Sequence, residues 1–271
     1  MKSTIGFYGA GNMAQAIIAG LLSSEEMSAE DIFVYNHRYQ PTLEKVEKQY
    51  GVQAILNEKD LFKKVDQIIF AVKPAILLEV LPKIKKLLTK EHLVISIASG
   101  VSIAQITQAI GSHKIVRVMP NTPAMVGEAM SSVSVNDKVS SEEIQEVTKI
   151  FRDFGKAEVV PETLISAVVG VSGSAPAYVY LFIEALADGA VAEGMPRKEA
   201  YEFASQTVLG AAKMVLQTKS HPGELKDAVS SPGGTTIAAV ESLEKNNFRA
   251  SVIEAVRTAA KKDREMSRKN D

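Results

Sequence analysis

Short β-rich runs and amphipathic helical runs alternate from residue 4 to about residue 160, and then the strand signal stops. This change of rhythm constrains the fold more than any other feature of the chain. Runs rich in β-formers fall at residues 4–8, 32–35, 67–72, 93–98, 115–119, 131–135 and 158–160, with helical patterns at 15–23, 41–50, 75–88 and 142–154 between them. Strand, helix, strand in regular succession predicts a mostly parallel sheet with helices on both faces, the doubly wound α/β class.

Beyond residue 162 helical patterns take over, at 175–193, 197–217, 223–229, 237–245 and 249–267. Pro196, Pro222 and Pro232 stand near the starts of three of them, where a missing N–H costs nothing. The run 175–193 is apolar nearly all round apart from Glu184 and Asp188, so it must be buried on every side. A domain of roughly 110 residues rarely encloses such a helix alone, and a second copy of the chain is the expected cover. The expectation is therefore two domains, 1–161 and 162–271, a tight junction near Pro161, and a homodimer built on the second. Whether dimers assemble further into a ring is left open.

Charge and composition exclude several classes. The formal net charge is −1, and like charges do not cluster before Lys261-Lys262-Asp263-Arg264, so the footprint of a nucleic-acid partner is missing. Without cysteine there is no disulfide, thiolate nucleophile or sulfur metal site, which is compatible with a reducing cytoplasm. His37, His92, His113 and His221 lack paired ligand spacing, and no metal is expected. Gly9, Gly11, Asn12 and Gln15 interrupt any signal-peptide reading of the N-terminus. The uncharged stretch 175–183 is too short to span a bilayer, so no membrane partner is expected and the chain reads as soluble and cytoplasmic.

The turn Gly9-Ala10-Gly11-Asn12-Met13-Ala14 follows the first strand and opens the first helix. That arrangement presents backbone N–H groups and a helix N-terminus to a pyrophosphate. Gly9 permits the turn, Gly11 lets phosphates approach the backbone, and Ala14 allows close packing of helix on strand. At the end of the second strand, where an NAD enzyme usually carries an acidic residue, the chain has Asn36-His37-Arg38. A guanidinium there suits a ribose 2′-phosphate, so NADPH is expected, with NADH a weaker substitute. Ligands in open parallel sheets sit beyond the carboxyl ends of the strands. Ala71-Val72-Lys73-Pro74, Ala98-Ser99-Gly100 and Met119-Pro120-Asn121 follow three strands and are candidate cofactor contacts, and Asn57 joins the set.

In the helical half, Ser230-Ser231-Pro232-Gly233-Gly234-Thr235-Thr236 leads straight into a helix. A Gly-Gly pair with hydroxyl residues at such a start leaves several N–H groups in a concave arrangement suited to a carboxylate. The longer segment from His221-Pro222-Gly223 through Thr236 resembles the signature of pyrroline-5-carboxylate reductases. The resemblance continues through the glycine turn, Ala71–Pro74, Met119–Pro123 and Gly173-Ser174-Ala175-Pro176-Ala177-Tyr178, and so covers essentially the whole chain in order.

The resemblance implies a Rossmann-like domain followed by an all-α dimerisation domain, and hydride transfer from a nicotinamide to a cyclic imine, giving L-proline. It places the small-molecule substrate's carboxylate on N–H groups of Ser231, Gly233, Gly234, Thr235 and Thr236, with the Thr236 hydroxyl near the ring nitrogen. Glu162, at the expected junction, is a further candidate contact. The proton donor is not assigned. Dehydrogenases of similar layout that oxidise hydroxyacids use a lysine on the first long helix after the nucleotide domain, and this chain has none from Ala157 through Arg197. A related imine reductase, or an NADPH-binding regulatory paralogue without turnover, are the competing readings.

Overall fold

The computed structural model describes residues 4–24 and 27–269. Two compact units divide the chain: residues 1–173 with 259–271, and residues 174–258. The expected junction at 161/162 lies ahead of this division.

The first unit holds one eight-stranded sheet in the order β3-β2-β1-β4-β5-β6-β7-β8. Its strands are β1 (Ile5–Tyr8), β2 (Ile32–Tyr35), β3 (Gln53–Ile55), β4 (Gln67–Phe70), β5 (Leu93–Ser96), β6 (Lys114–Met119), β7 (Ala129–Val135) and β8 (Gly155–Val159). Neighbours run parallel except β6 and β7, which are antiparallel. The helices are α1 (Asn12–Ser23), α2 (Glu44–Tyr50), α3 (Glu58–Lys64), α4 (Pro74–Ile84), α5 (Ile103–Ile110), α6 (Ser141–Arg152) and the short α7 (Ile165–Val168).

Alternation along the strands sends apolar residues to two cores. Ile5 and Phe7 of β1 pack with α1, α2 and α6 through Ile17, Val46 and Phe151. Tyr8, the next residue, joins Phe70, Leu61, Leu77 and Ile106 on the other face, against α3, α4 and α5. Such fully buried side chains contribute about 1.5–3 kcal/mol each.

Four elements of this unit were not anticipated: β3, α3, α5 and α7. The strand has only three residues, and α3 follows it after a short turn. For α5 the signal was present, since Ser102 and Gln105 form a reciprocal capping box at its start. The helix expected at 41–50 starts just after the extended Gln40 (ψ 146°), as a π-helical stretch through Leu43 that continues into α2, whereas that expected at 75–88 ends at Ile84.

The second unit consists of α8 (Ala175–Ala192), α9 (Arg197–Thr218), α10 (Pro222–Ala228), α11 (Thr235–Lys245) and the first part of α12 (Phe248–Lys269). Gly194, at φ +93°, reverses the chain after α8: its N–H donates to Val191 O and that of Met195 to Ala190 O, which satisfies the last carbonyls. The core between α8 and α9 is small, with Ala187, Ala200 and Ala204 at its centre. Leu181, Tyr180 and Phe203 are exposed on a single chain. The helical run Glu162–Ala192 is 31 residues long and apolar enough, by length and composition, to cross a membrane. This corrects the count over 175–183, which stopped at a single charged residue, Glu184.

Candidate active site

Strand order reverses beside β1, with β2 and β3 to one side and β4 onward to the other. Side chains and backbone beyond the strand ends there line a cleft of about 1020 Å³. Ligands bind at such a switch point because the loops on either side diverge and leave a crevice.

The glycine turn forms one wall. Gly9 has φ +112°, its N–H donates to Tyr35 O at 2.8 Å, and a Cβ there would stand 2.7 Å from Ala71 O. Only glycine fits. Gly11 differs: its φ is −70°, and a Cβ would meet nothing within 4 Å because the space before it is open. No side chain caps α1 and no acidic residue sits in its first turn. Unfilled N–H groups and the positive end of the helix dipole therefore face whatever anion occupies that space.

Of the cofactor contacts expected from sequence, Gly9, Ala10, Gly11, Asn36, Asn57, Ala71, Val72 and Lys73 line this cleft. Asn12 and Met13 open α1, Pro74 opens α4, and Ala98 and Gly100 lie just past β5. These, with Arg38 and Asn121, are not among its lining residues. Arg38 is exposed, and its carbonyl accepts from Asn36 Nδ2 at 2.8 Å. The Asn121 amide is engaged at both ends, donating to Ser172 O (3.1 Å) and accepting from Met130 N (2.9 Å). Tyr8, Tyr35, His37, Glu58, Glu79 and Lys83 also line the cleft and were missed. Tyr8 Oη donates to Glu58 Oε2 at 2.9 Å. Burial, and then this hydrogen bond, push the Tyr8 phenol well above its ordinary range; burial also raises Tyr35.

Glu162 has protein partners of its own. Its Oε1 accepts from Arg117 Nη1 at 2.9 Å and from the N–H of Ile103, the first residue of α5, at 2.8 Å. Arg117 is buried, and a buried guanidinium needs such a counter-charge.

In the helical unit, the loop between α10 and α11 holds Ser231, Gly233 and Gly234, and Thr235 and Thr236 open α11. Gly234 N donates to Ser231 O at 3.0 Å, and a Cβ at Gly234 would lie 2.4 Å from Ser231 Oγ. The loop thus folds tightly onto the start of α11. No side chain caps that helix, so its first-turn N–H groups are available to an external acceptor beside the half-buried Thr236. Among the described residues, no group of three or more His, Cys, Asp or Glu is placed to hold a metal ion.

Comparison with known proteins covers both units. Residues 162–266 match a family model described as pyrroline-5-carboxylate reductase dimerisation, and residues 4–100 match one described as NADP oxidoreductase, coenzyme F420-dependent. The pyrroline-5-carboxylate reductase of Escherichia coli is 49% identical over 99% of this chain and 100% of its own length. That of Pisum sativum is 42% identical over 97% and 96%. A Plasmodium falciparum pyrroline carboxylate reductase structure with NADP bound has TM-score 0.88 at 35% identity, covering 98% of this chain and 99% of that one. Because identity at this level runs through the sheet and the helical unit alike, the chain belongs to the pyrroline-5-carboxylate reductase family.

Proposed function

We propose that this chain reduces 1-pyrroline-5-carboxylate to L-proline, drawing the hydride from NADPH and less readily from NADH. The observation that carries the reading is the presence, on a family member, of two separate anion cradles. One is the open space before Gly11 at the start of α1, and the other the uncapped start of α11 beside Thr236.

When bound, the nicotinamide supplies a hydride from its C4. Gly11 and the first N–H groups of α1 take the pyrophosphate, while Asn36 and Arg38 take the 2′-phosphate. Lys73, Val72 and Ala71 line the cleft beside them. N–H groups of the Ser231–Thr236 loop hold the substrate carboxylate, and the Thr236 hydroxyl orients the ring nitrogen by a hydrogen bond. The imine arrives protonated, so alignment and exclusion of water do most of the work. Glu162 serves one step back, holding Arg117 and the start of α5.

The working form is a soluble, cytoplasmic homodimer in which a second copy covers the exposed side chains of α8 and α9. Lipid is the poorer cover for Glu162–Ala192, because Glu184 and Asp188 lie on it and a carboxylate at bilayer depth costs on the order of 2.5–3.5 kcal/mol.

The test is NADPH oxidation on adding racemic pyrroline-5-carboxylate, repeated with NADH and with Thr236→Ala. The variant should lose about ten- to a hundredfold in turnover, the scale of one transition-state hydrogen bond at about 1.4 kcal/mol per tenfold. Absence of turnover with either cofactor, in protein that binds NADPH, would return the reading to a regulatory paralogue.

A further inference from the structure

The cofactor cleft is lined by Lys73 and Lys83 and by Glu58 and Glu79. Glu79 is matched: its carboxylate lies 2.6 Å from Lys83 Nζ, one helical turn on. Glu58 is not matched by a cation among the described residues. Its partner is the neutral hydroxyl of Tyr8, at 2.9 Å. A hydroxyl orients a carboxylate without cancelling its charge, so the cleft contains a fixed, half-buried anion.

The support behind Glu58 is a cluster of aromatic rings. Tyr8 and Tyr35 are register partners at the ends of β1 and β2, their rings 4.9 Å apart, and the Phe70 ring lies 5.5 Å from Tyr8. Asn36 and His37 continue directly from Tyr35. Glu58 opens α3, just after β3, the strand paired to β2. The carboxylate and the Asn36–His37 turn thus line one cleft from the ends of adjacent strands. Sequence reading looks for an acidic residue at the end of β2 and finds none. The fold supplies one from the neighbouring helix.

We propose that Glu58, held in place by Tyr8, is a specificity-determining residue that restrains the preference for a 2′-phosphorylated dinucleotide. The inference rests on reading the cleft as the dinucleotide site. Its physics is simple: NADP and NAD differ only in the 2′-phosphate, and a like charge in the same cleft opposes the form that carries it. In a solvent-open cleft at physiological salt, such repulsion is on the order of a three- to tenfold change in affinity.

The measurement is calorimetric titration of the full-length protein with NADP⁺ and with NAD⁺, for wild type, Glu58→Gln and Tyr8→Phe. Glu58→Gln keeps the shape and the acceptor for Tyr8 while removing the charge. It should raise the NADP⁺ to NAD⁺ affinity ratio by about three- to tenfold, mainly through NADP⁺, and the gain should shrink in concentrated salt. Tyr8→Phe frees the carboxylate to turn towards solvent and should move the ratio the same way, by about twofold. A merely structural effect would change both affinities together and leave the ratio alone. An unchanged ratio in Glu58→Gln overturns the proposal, as does an equal gain at all salt concentrations. Failure of the wild type to bind either dinucleotide would instead overturn the reading of the cleft.

Discussion

Large apolar side chains are placed differently in the two units. In the sheet unit Phe7, Phe70 and Phe151 are fully buried, each inside a core that its own chain completes. In residues 174–258 the centre of the core is three alanines, while Leu181 is 67% and Phe203 65% exposed. The first unit therefore draws its stability from within, whereas the second leaves large apolar side chains exposed on a single chain.

Truncating the sheet core is the strongest way to break that contrast. Phe151→Ala should cost about 3–5 kcal/mol in urea unfolding, since Phe151 also stands edge-on to Phe154 at 5.6 Å. A loss below about 2 kcal/mol would mean the core is less completely packed than its burial implies. Dilution sharpens the other side. If a second copy covers α8 and α9, each tenfold dilution should lower Tm by roughly 2–4 °C, a shift on the scale of about 1 kcal/mol. A Tm independent of concentration would leave the helical unit self-sufficient.

The smallest effect belongs to a buried histidine of the sheet unit. His92 Nδ1 accepts from Thr89 N at 2.9 Å, so Nε2 carries the proton and donates to Phe62 O, also at 2.9 Å. Burial holds its pKa below the ordinary value of 6.5. The unfolded chain then binds the proton more readily, so the contribution is complete above the unfolded pKa. It is lost as pH falls through about 6.5 towards the lowered folded value. Wild-type Tm should therefore drop between about pH 7.5 and 5.5 by more than that of His92→Gln. Parallel curves for the two proteins would remove His92 as a source of the pH dependence.

What could be read along the chain was local. The glycine turn and the Ser231–Thr236 loop are short contiguous segments whose chemistry is set by near neighbours, and both stand where the sequence places them. Tyr8 and Glu58 meet across fifty residues of chain, and only the sheet order brings them together. A three-residue β3 is too short to show alternation, and with it went the expectation of α3 and of the acid on its first turn. Glu162 was legible as a charge at the expected junction, although the two units divide at 173/174. Its attachment to Arg117 required knowing that β6 turns that arginine inward.

The two glycines of the turn between β1 and α1 also separate two kinds of natural selection. Substitution at Gly9 strains the apoprotein itself, through φ +112° and the carbonyl of Ala71. Gly11 has ordinary backbone angles and open space before it, so alanine there leaves the fold intact and intrudes only on the space that the proposed function gives to the pyrophosphate. A library screened for folding alone would hold position 9 fixed and let position 11 drift; one screened for growth without proline would hold both.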